Sequence, residues 1–423
     1  RLTEEQFMKD LNLSWLNNVK FRGSWGLLGN QDIGTYPYQA LLSMGMAYNY
    51  AYDNKNITTG AAYSSAVNRD LKWETTAIGD FGLDLQLFRG LNITFDWYKK
   101  RTYNILRTLQ VNALLGLNGP TINDGEMTNQ GIEFLIGWND RIKDGFFKDF
   151  GYRANFFITR NRNKLTKYGT TDYGYIGEFG NPYLIYEQGQ PYGQYYMYEA
   201  IGIYESDAQV AQREWNGYKI APIDNKVQAG DMIYHDVNGD GKISDEDRVK
   251  FDGYYERFSY TINLGFDWKG VDFSMMLQGR AGKRNFTRGY MGFIVSPFVQ
   301  GTAPTREMVD NCWTPERTVG AKHPRLYYFA GENIYRNNVN SSYFLKRSGY
   351  LRIKNLTVGY TIPRNITEKI GVQKFRVYFS GDNLATATPY DGLDPESSMG
   401  YGSRFGMDYP LSRICSFGIN LQF

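Results

Sequence analysis

A period of two governs the last stretch of this chain. Leu411, Arg413, Cys415, Phe417, Ile419, Leu421 and Phe423 alternate with Ser412, Ile414, Ser416, Gly418, Asn420 and Gln422. A strand sends successive side chains to opposite faces, so one face here is nearly all apolar and the other mostly small and polar. Alternation alone suits a soluble sandwich equally well. Strand length, unequal connections and recurrence of the pattern upstream decide between the two. All three point to an all-β fold, a transmembrane antiparallel β-barrel with its apolar face toward lipid and its polar face toward the lumen.

The pattern recurs along the whole chain. Trp73 to Leu87 alternates, turns at Arg89-Gly90, and alternates again through Leu91, Ile93, Phe95 and Trp97. Similar arms run through Ile132–Trp138 and Phe150–Ile158, through Phe258–Trp268 and Val271–Leu277, and through Leu356–Ile362 and Phe375–Phe379. Two further strands are expected at Val19–Leu27 and, more weakly, around Tyr36–Tyr50, the two separated by a polar turn at Gly29–Gly34. Before them, Thr3 followed by Glu5 and Gln6 suits a short capped helix. Several arms reach the ten or so tilted residues that a bilayer core requires.

Connections on one side are short. Those on the other are long, at about 107–126, 165–256, 281–343 and 386–409. Barrels of the bacterial outer membrane keep short turns in the periplasm and long loops outside. On that assignment the final strand descends and ends at the periplasm, with Arg413 near the outer interface. The first strand also descends, which gives about eleven spanning strands. An open sheet of that size would leave two unpaired edges in lipid, which is not viable. The expectation is therefore that residues 1–423 are the carboxy-terminal part of a larger barrel, with Leu411–Phe423 hydrogen-bonded on one side only.

Composition excludes other classes. The 423 residues include 35 Tyr and 46 Gly and are 42% hydrophobic, with a mean hydropathy of −0.50. No apolar run approaches the ~18 residues of a membrane helix. A formal net charge of +3 with 22% charged residues gives no footprint for nucleic acid. Cys312 and Cys415 are expected to be unpaired, and His235 and His323 cannot make a zinc site on their own. Asp80 and Asp84 lie two apart on the polar face of one strand and suit a hydrated wall better than acid–base chemistry. No nucleophile–base constellation accompanies them, so the chain is not expected to be an enzyme.

Two stretches suggest sites. In Asp236–Asp247, the oxygen-bearing Asp236, Asn238 and Asp240, then Gly241, the carbonyl of Lys242 and the carboxylate of Asp247 take the positions of a calcium loop. The expected ion is a structural Ca2+, with Mg2+ as the other hard cation such oxygens accept. Asp in place of Glu at the last position shortens that arm, so the expected affinity is weak, with Kd on the order of 10⁻⁴–10⁻³ M. Without an ion, the same residues make an Asx-rich turn. The second stretch is the Tyr-rich run from Tyr168 to Tyr204. Its Tyr192, Tyr195, Tyr196 and Tyr198 are candidates for contact with a sugar or peptide, although Tyr is also the ordinary packing residue of barrels.

Several motifs resemble the SusC/RagA family of TonB-dependent outer-membrane transporters of Bacteroidetes. They are Gly29-Asn30-Gln31-Asp32-Ile33-Gly34, Asn68-Arg69-Asp70-Leu71-Lys72-Trp73-Glu74, Met127-Thr128-Asn129-Gln130-Gly131-Ile132-Glu133 and Asp236-Val237-Asn238-Gly239-Asp240-Gly241. Trp313-Thr314-Pro315-Glu316, Tyr350-Leu351-Arg352-Ile353-Lys354-Asn355-Leu356 and Ser380-Gly381-Asp382-Asn383-Leu384 complete the set, in the family's order. The resemblance implies half of a 22-stranded barrel; the family's plug and TonB-box segment have no counterpart in these residues. It also implies import of a nutrient oligomer, either glycan or oligopeptide, with a SusD-like surface lipoprotein above and TonB below. A passive porin and a calcium-binding surface β-protein of adhesin type are the alternatives.

Overall fold

The computed structural model describes every residue except 12, 31–37, 41, 46–48, 52–56, 89, 110, 170–171, 176–182, 289–303, 328–335 and 397–408. Its frame is one antiparallel sheet of ten strands, each hydrogen-bonded to the next in chain order. The strands are β1 (Leu16–Asn30), β2 (Glu74–Leu87), β3 (Leu91–Thr108), β4 (Thr121–Arg141), β5 (Gly151–Tyr168), β6 (Phe258–Trp268), β7 (Val271–Ala281), β8 (Tyr350–Ile362), β9 (Lys374–Ala387) and β10 (Ile414–Gln422).

Ten strands replace the expected eleven. β1 pairs directly with β2 from Asn18↔Gln86 to Asn30↔Glu74, which leaves no room for a spanning strand between them. The described part of 36–50 holds only the short strands Leu42–Met44 and Tyr50–Ala51. The strand count corrects a direction as well. With an even number of antiparallel strands β1 runs opposite to β10, so it ascends, and 31–73 becomes a further long outer connection. Most of the expected turn at Gly29–Gly34 lies outside the described residues, and Gly29 and Asn30 continue β1.

Other boundaries also moved. β3 and β4 extend beyond the expected loop at 107–126, leaving 109–120 as the connection. β10 starts at Ile414, so Arg413 stands outside the strand. At the amino end a 3-10 turn Leu2–Glu4 precedes a helix at Gln6–Asp10, and no side chain caps either. Thr3 instead accepts the Val19 amide through Oγ1 at 3.5 Å, which ties the turn to β1.

The alternation works as expected. On the outward face Trp25, Phe81, Trp97, Val358, Phe417 and Ile419 stand exposed, Phe417 at 86%. That exposure is affordable only against lipid. On the inward face, Arg22 pairs with Asp84 at 2.9 Å and with Asp96 at 2.8 Å, and Arg376 pairs with Asp272 at 2.6 Å. Arg22 lies over Gly82, where an added Cβ would meet the Asp96 carboxylate at 2.4 Å. Asp84, read from the sequence as part of a hydrated wall, is thus one half of an ion pair.

Short turns close one end. Lys269 (φ 48°) and Gly270 (φ 88°) supply the two left-handed positions that a two-residue hairpin of type I′ demands. Beside this turn Trp268, Phe147, Phe150 and Phe266 cluster, with Phe147 5.6 Å from Trp268 and Phe150 5.6 Å from Phe266. Such a cluster marks a membrane–water interface.

Both ends of the sheet are open. Among the described residues β1 has only β2 as a neighbouring strand, and β10 has only β9, paired from Lys374↔Gln422 to Asp382↔Ile414. The one-sided pairing expected for the last strand is what the sheet has. The closely packed core lies in the outer connections, where Leu184, Tyr195, Met197, Phe286, Met308, Cys312 and Phe344 form one buried cluster and Tyr204, Ile220 and Ile233 another. Two four-stranded sheets built mainly from 172–251 carry much of it.

Candidate functional site

The Tyr-rich run divides by the same period of two. Gln194–Tyr198 is a strand between Tyr183–Tyr186 and Arg248–Phe251. Tyr195 and Met197 point into the core. Tyr195 is fully buried, and its hydroxyl donates to the Arg284 carbonyl at 3.1 Å. Burial pushes this phenol well above its usual range. Tyr195 is a packing residue, closed to any ligand in this conformation. Tyr196 and Tyr198 are half-buried on the opposite face. The Tyr198 ring lies under the Arg248 guanidinium at 5.2 Å, and its hydroxyl reaches Asp245 at 3.3 Å. Tyr192 alone of the four is exposed. It packs on Tyr186 with ring centroids 4.7 Å apart, and its amide donates to the Asn163 side chain at 2.8 Å.

Tyr192 overhangs a cavity of about 380 Å³ at the outer end of the lumen wall. Asn129 from β4, Thr159, Asn161 and Asn163 from β5, and Ser259 from β6 line it, with Tyr255 opposite. The strand period places all five polar residues on the inward face, because Ile132, Ile158 and Tyr260 occupy the outward one. Two charges also border the cavity. Arg257 is paired with Asp252 at 3.2 Å, and Glu256 with Arg280 at 3.6 Å. The wall is therefore neutral and rich in amide and hydroxyl groups, with two aromatic faces at the rim. Such a surface can hydrogen-bond and stack on an uncharged polar ligand.

The loop at 236–247 folds around two buried carboxylates. Asp236 accepts the amides of Gly239 at 2.7 Å and Gly241 at 2.9 Å. Asp247 accepts those of Val237 at 2.9 Å and Ser244 at 2.7 Å, the latter as half of a capping box. Asn238 and Asp240 each make an Asx turn, to the amides of Asp240 and Lys242. Gly239 (φ 75°) and Gly241 (φ 84°) take left-handed positions at the loop's tip. Among the described residues no three His, Cys, Asp or Glu side chains converge to hold a metal. Its side-chain oxygens are of the kind that a hard cation takes. The loop is nevertheless closed by hydrogen bonds without one.

Three polar clusters had no signal in the sequence, because each joins residues far apart in the chain. Asp231, 1% exposed, accepts from the Tyr327 hydroxyl at 2.7 Å, the Asn337 amide at 2.9 Å and the Gln228 N–H at 3.0 Å. Burial raises its carboxyl above the ordinary value, against the pull of those hydrogen bonds and of Arg336. Arg352, also buried, holds Asp394 at 2.8 Å and Glu396 at 2.5 Å, binding the last outer connection to β8. His323 sits between Tyr343 and Glu307, 2.6 Å from each, and burial lowers its basicity against the attraction of Glu307. His235 lies 2.9 Å from Glu199. Cys312 is buried and Cys415 exposed, and both are free.

No family model matches the chain. Curated relatives align with all of it. TonB-dependent receptor P3 of Formosa agariphila is 28% identical over 439 residues, and TonB-dependent receptor SusC of Bacteroides thetaiotaomicron is 27% identical over 443. The chain is similar along its whole length to these TonB-dependent receptors, SusC among them. It spans about two fifths of their length, 41% of the first and 39% of the second. Among solved structures, the RagAB peptide transporter superposes on the whole chain with a TM-score of 0.75 at 24% identity, and the chain covers 42% of that structure's chain. The ten-stranded sheet is thus part of an outer-membrane barrel of this type. The wide connections that carry the Tyr-rich run and the 236–247 loop are its outer loops.

Proposed function

We propose that the chain forms barrel wall and outer loops of a TonB-dependent importer for a nutrient oligomer, either a glycan or an oligopeptide. The observation that carries this reading is the neutral cavity of amide and hydroxyl groups below Tyr192 and Tyr255, set in the lumen wall of a barrel whose relatives are named TonB-dependent receptors. In this reading a SusD-like surface lipoprotein covers the outer loops and TonB supplies energy from the periplasm. The test is uptake of oligosaccharide and oligopeptide pools by cells that carry the full-length receptor. Uptake should stop when the proton gradient is collapsed or TonB is deleted. Asn161→Ala with Tyr192→Ala should lower it on the order of tenfold, about the loss of one or two good polar contacts. Uptake that persists without TonB would make the barrel a passive porin and end this reading.

We also propose that the 236–247 loop binds Ca2+, or Mg2+ in its place, as a structural staple. The ligands would be the side chains of Asp236, Asn238, Asp240 and Asp247 and the carbonyl of Lys242. The spacing of the oxygens and the two left-handed glycines support it. The ion would add to a loop already closed by hydrogen bonds, so its role is to hold the excursion at 165–256, with no part in chemistry.

A further inference from the structure

The outward face changes character at one height on three adjacent strands. On β3 the outward residues Leu91, Ile93, Phe95 and Trp97 give way to Lys99 and Arg101. On β4, Trp138, Ile136, Phe134 and Ile132 give way to Gln130 and Thr128. On β5, Tyr152, Ala154, Phe156 and Ile158 give way to Arg160, Arg162 and Lys164. The register aligns these changes. Trp97↔Ile132↔Arg160 form one row, Lys99↔Gln130↔Arg162 the next, and Arg101↔Thr128↔Lys164 the third. Adjacent strands lie about 4.8 Å apart, so five cations gather on a patch roughly two strand spacings wide.

The position of the patch matters as much as its charge. The apolar rows below it start at the periplasmic turns, and an outer-membrane barrel presents an apolar band about 25 Å tall. Lys99 and Arg162 therefore stand at the outer edge of that band, where lipid headgroups lie. Trp25 shares their row through Gly79, and Trp97 stands one row below. Both indoles are exposed, as expected of an interfacial girdle. The nearby acids are already engaged. Glu126 is held by Arg101 at 2.7 Å, and Asp124 by Arg107 at 3.0 Å and Lys167 at 3.2 Å. Among the described residues none of Lys99, Arg160, Arg162 and Lys164 has a carboxylate partner; Arg160 only lies over the Phe258 ring, at 5.3 Å. Four uncompensated cations facing the membrane at headgroup height call for anions in the membrane.

We propose that this patch binds the phosphate groups of an outer-leaflet lipid. Arg160 and Arg162 suit paired hydrogen bonds to phosphate oxygens, and Lys99 and Lys164 add point charge on either side. Trp97 and Ile132 would lie against the first part of the acyl chains. This is a site on the outside of the wall, separate from the lumen cavity and from transport through it.

The test uses the full-length receptor in phosphatidylcholine nanodiscs doped with diphosphoryl lipid A or with the same lipid stripped of its phosphates. Bound lipid is counted by native mass spectrometry. The wild-type receptor should retain the phosphorylated lipid on the order of tenfold more strongly. The variant Lys99→Gln, Arg160→Gln, Arg162→Gln, Lys164→Gln should lose that preference, and inorganic phosphate at millimolar concentration should not compete. Equal retention of both lipids by the wild type, or an unchanged preference in the variant, would overturn the proposal. Competition by inorganic phosphate would make the patch a free-anion site and overturn the lipid assignment. If the fourfold variant fails to assemble, the single exposed changes Arg162→Gln and Lys164→Gln decide, each expected to weaken retention while Arg162→Lys retains most of it.

Discussion

Arg352 shows how one side chain fixes a long connection. It is buried on β8 and gathers Asp394 and Glu396 from a segment some forty residues away. Burial alone would raise the Asp394 carboxyl. The amides of Glu396 and Leu411 and the Arg352 guanidinium outweigh it and hold the value below the ordinary one. Glu396 is lowered in the same way, with burial opposed by the Tyr350 hydroxyl, Lys354 and Arg352. Asp231 goes in the other direction, since burial prevails there. Carboxyls lowered by folding contribute stability above their unfolded values, near 4, and lose it as the pH falls through the folded ones. A raised carboxyl contributes most below its unfolded value and loses that as the pH rises through the folded one. Acid should therefore loosen the last connection and leave the Asp231 corner firm. Hydrogen exchange, corrected for intrinsic rates, should show the Leu411 amide losing protection below about pH 4 while the Tyr204 amide, bonded to the Asp231 carbonyl at 2.8 Å, keeps it. Equal loss at both would contradict these assignments. None of this was legible in the sequence, because burial of a charge depends on partners far along the chain, 42 residues away for Arg352 and Asp394 and 96 for Asp231 and Tyr327. Tyr195 teaches the same lesson, since its neighbours in sequence do not reveal that its ring points into the core.

Elements were easier to foresee than their ends or their partners. Arms with strict alternation, such as Phe258–Trp268 and Val271–Leu277, were recognisable because the turn Lys269-Gly270 and both apolar faces agree. The strand expected around Tyr36–Tyr50 failed because alternation gives a face and no partner; β2 already fills the edge of β1. The start of β10 shifted because Leu411–Arg413 continue the alternation, but the Leu411 amide donates to Asp394 at 3.0 Å. The 236–247 loop was legible as a motif, since its ligands are local. Whether an ion sits there is a property of the loop as a unit. If Ca2+ binds, a chelator should raise protease cleavage within 236–247 several-fold without unfolding the barrel, and Asp240→Ala should do the same in the presence of Ca2+. Cleavage indifferent to both would leave the Asx turns and the capping box as the loop's whole support.

At the scale of the molecule, ten strands with one apolar and one ion-paired face cannot stand alone. Among the described residues no strand pairs with the outer edges of β1 and β10, whose backbone groups a bilayer would not satisfy. The wall therefore needs further strands on both sides, whichever polypeptide segment provides them. This much was legible from the sequence, since length, alternation and unequal connections are all one-dimensional signals. The polar cavity under Tyr192 was not, because it assembles β4, β5, β6 and an outer loop. The central claim is that the apolar face meets lipid. It is tested most directly by nitroxide labels placed singly at 416 through 421 on β10, in the full-length receptor in bilayers, with Cys312 and Cys415 replaced by Ala. Labels at Phe417, Ile419 and Leu421 should be relaxed by oxygen, and those at Ser416, Gly418 and Asn420 by a water-soluble nickel chelate, alternating residue by residue. Uniform access of the nickel reagent to all six positions would contradict a membrane-facing wall.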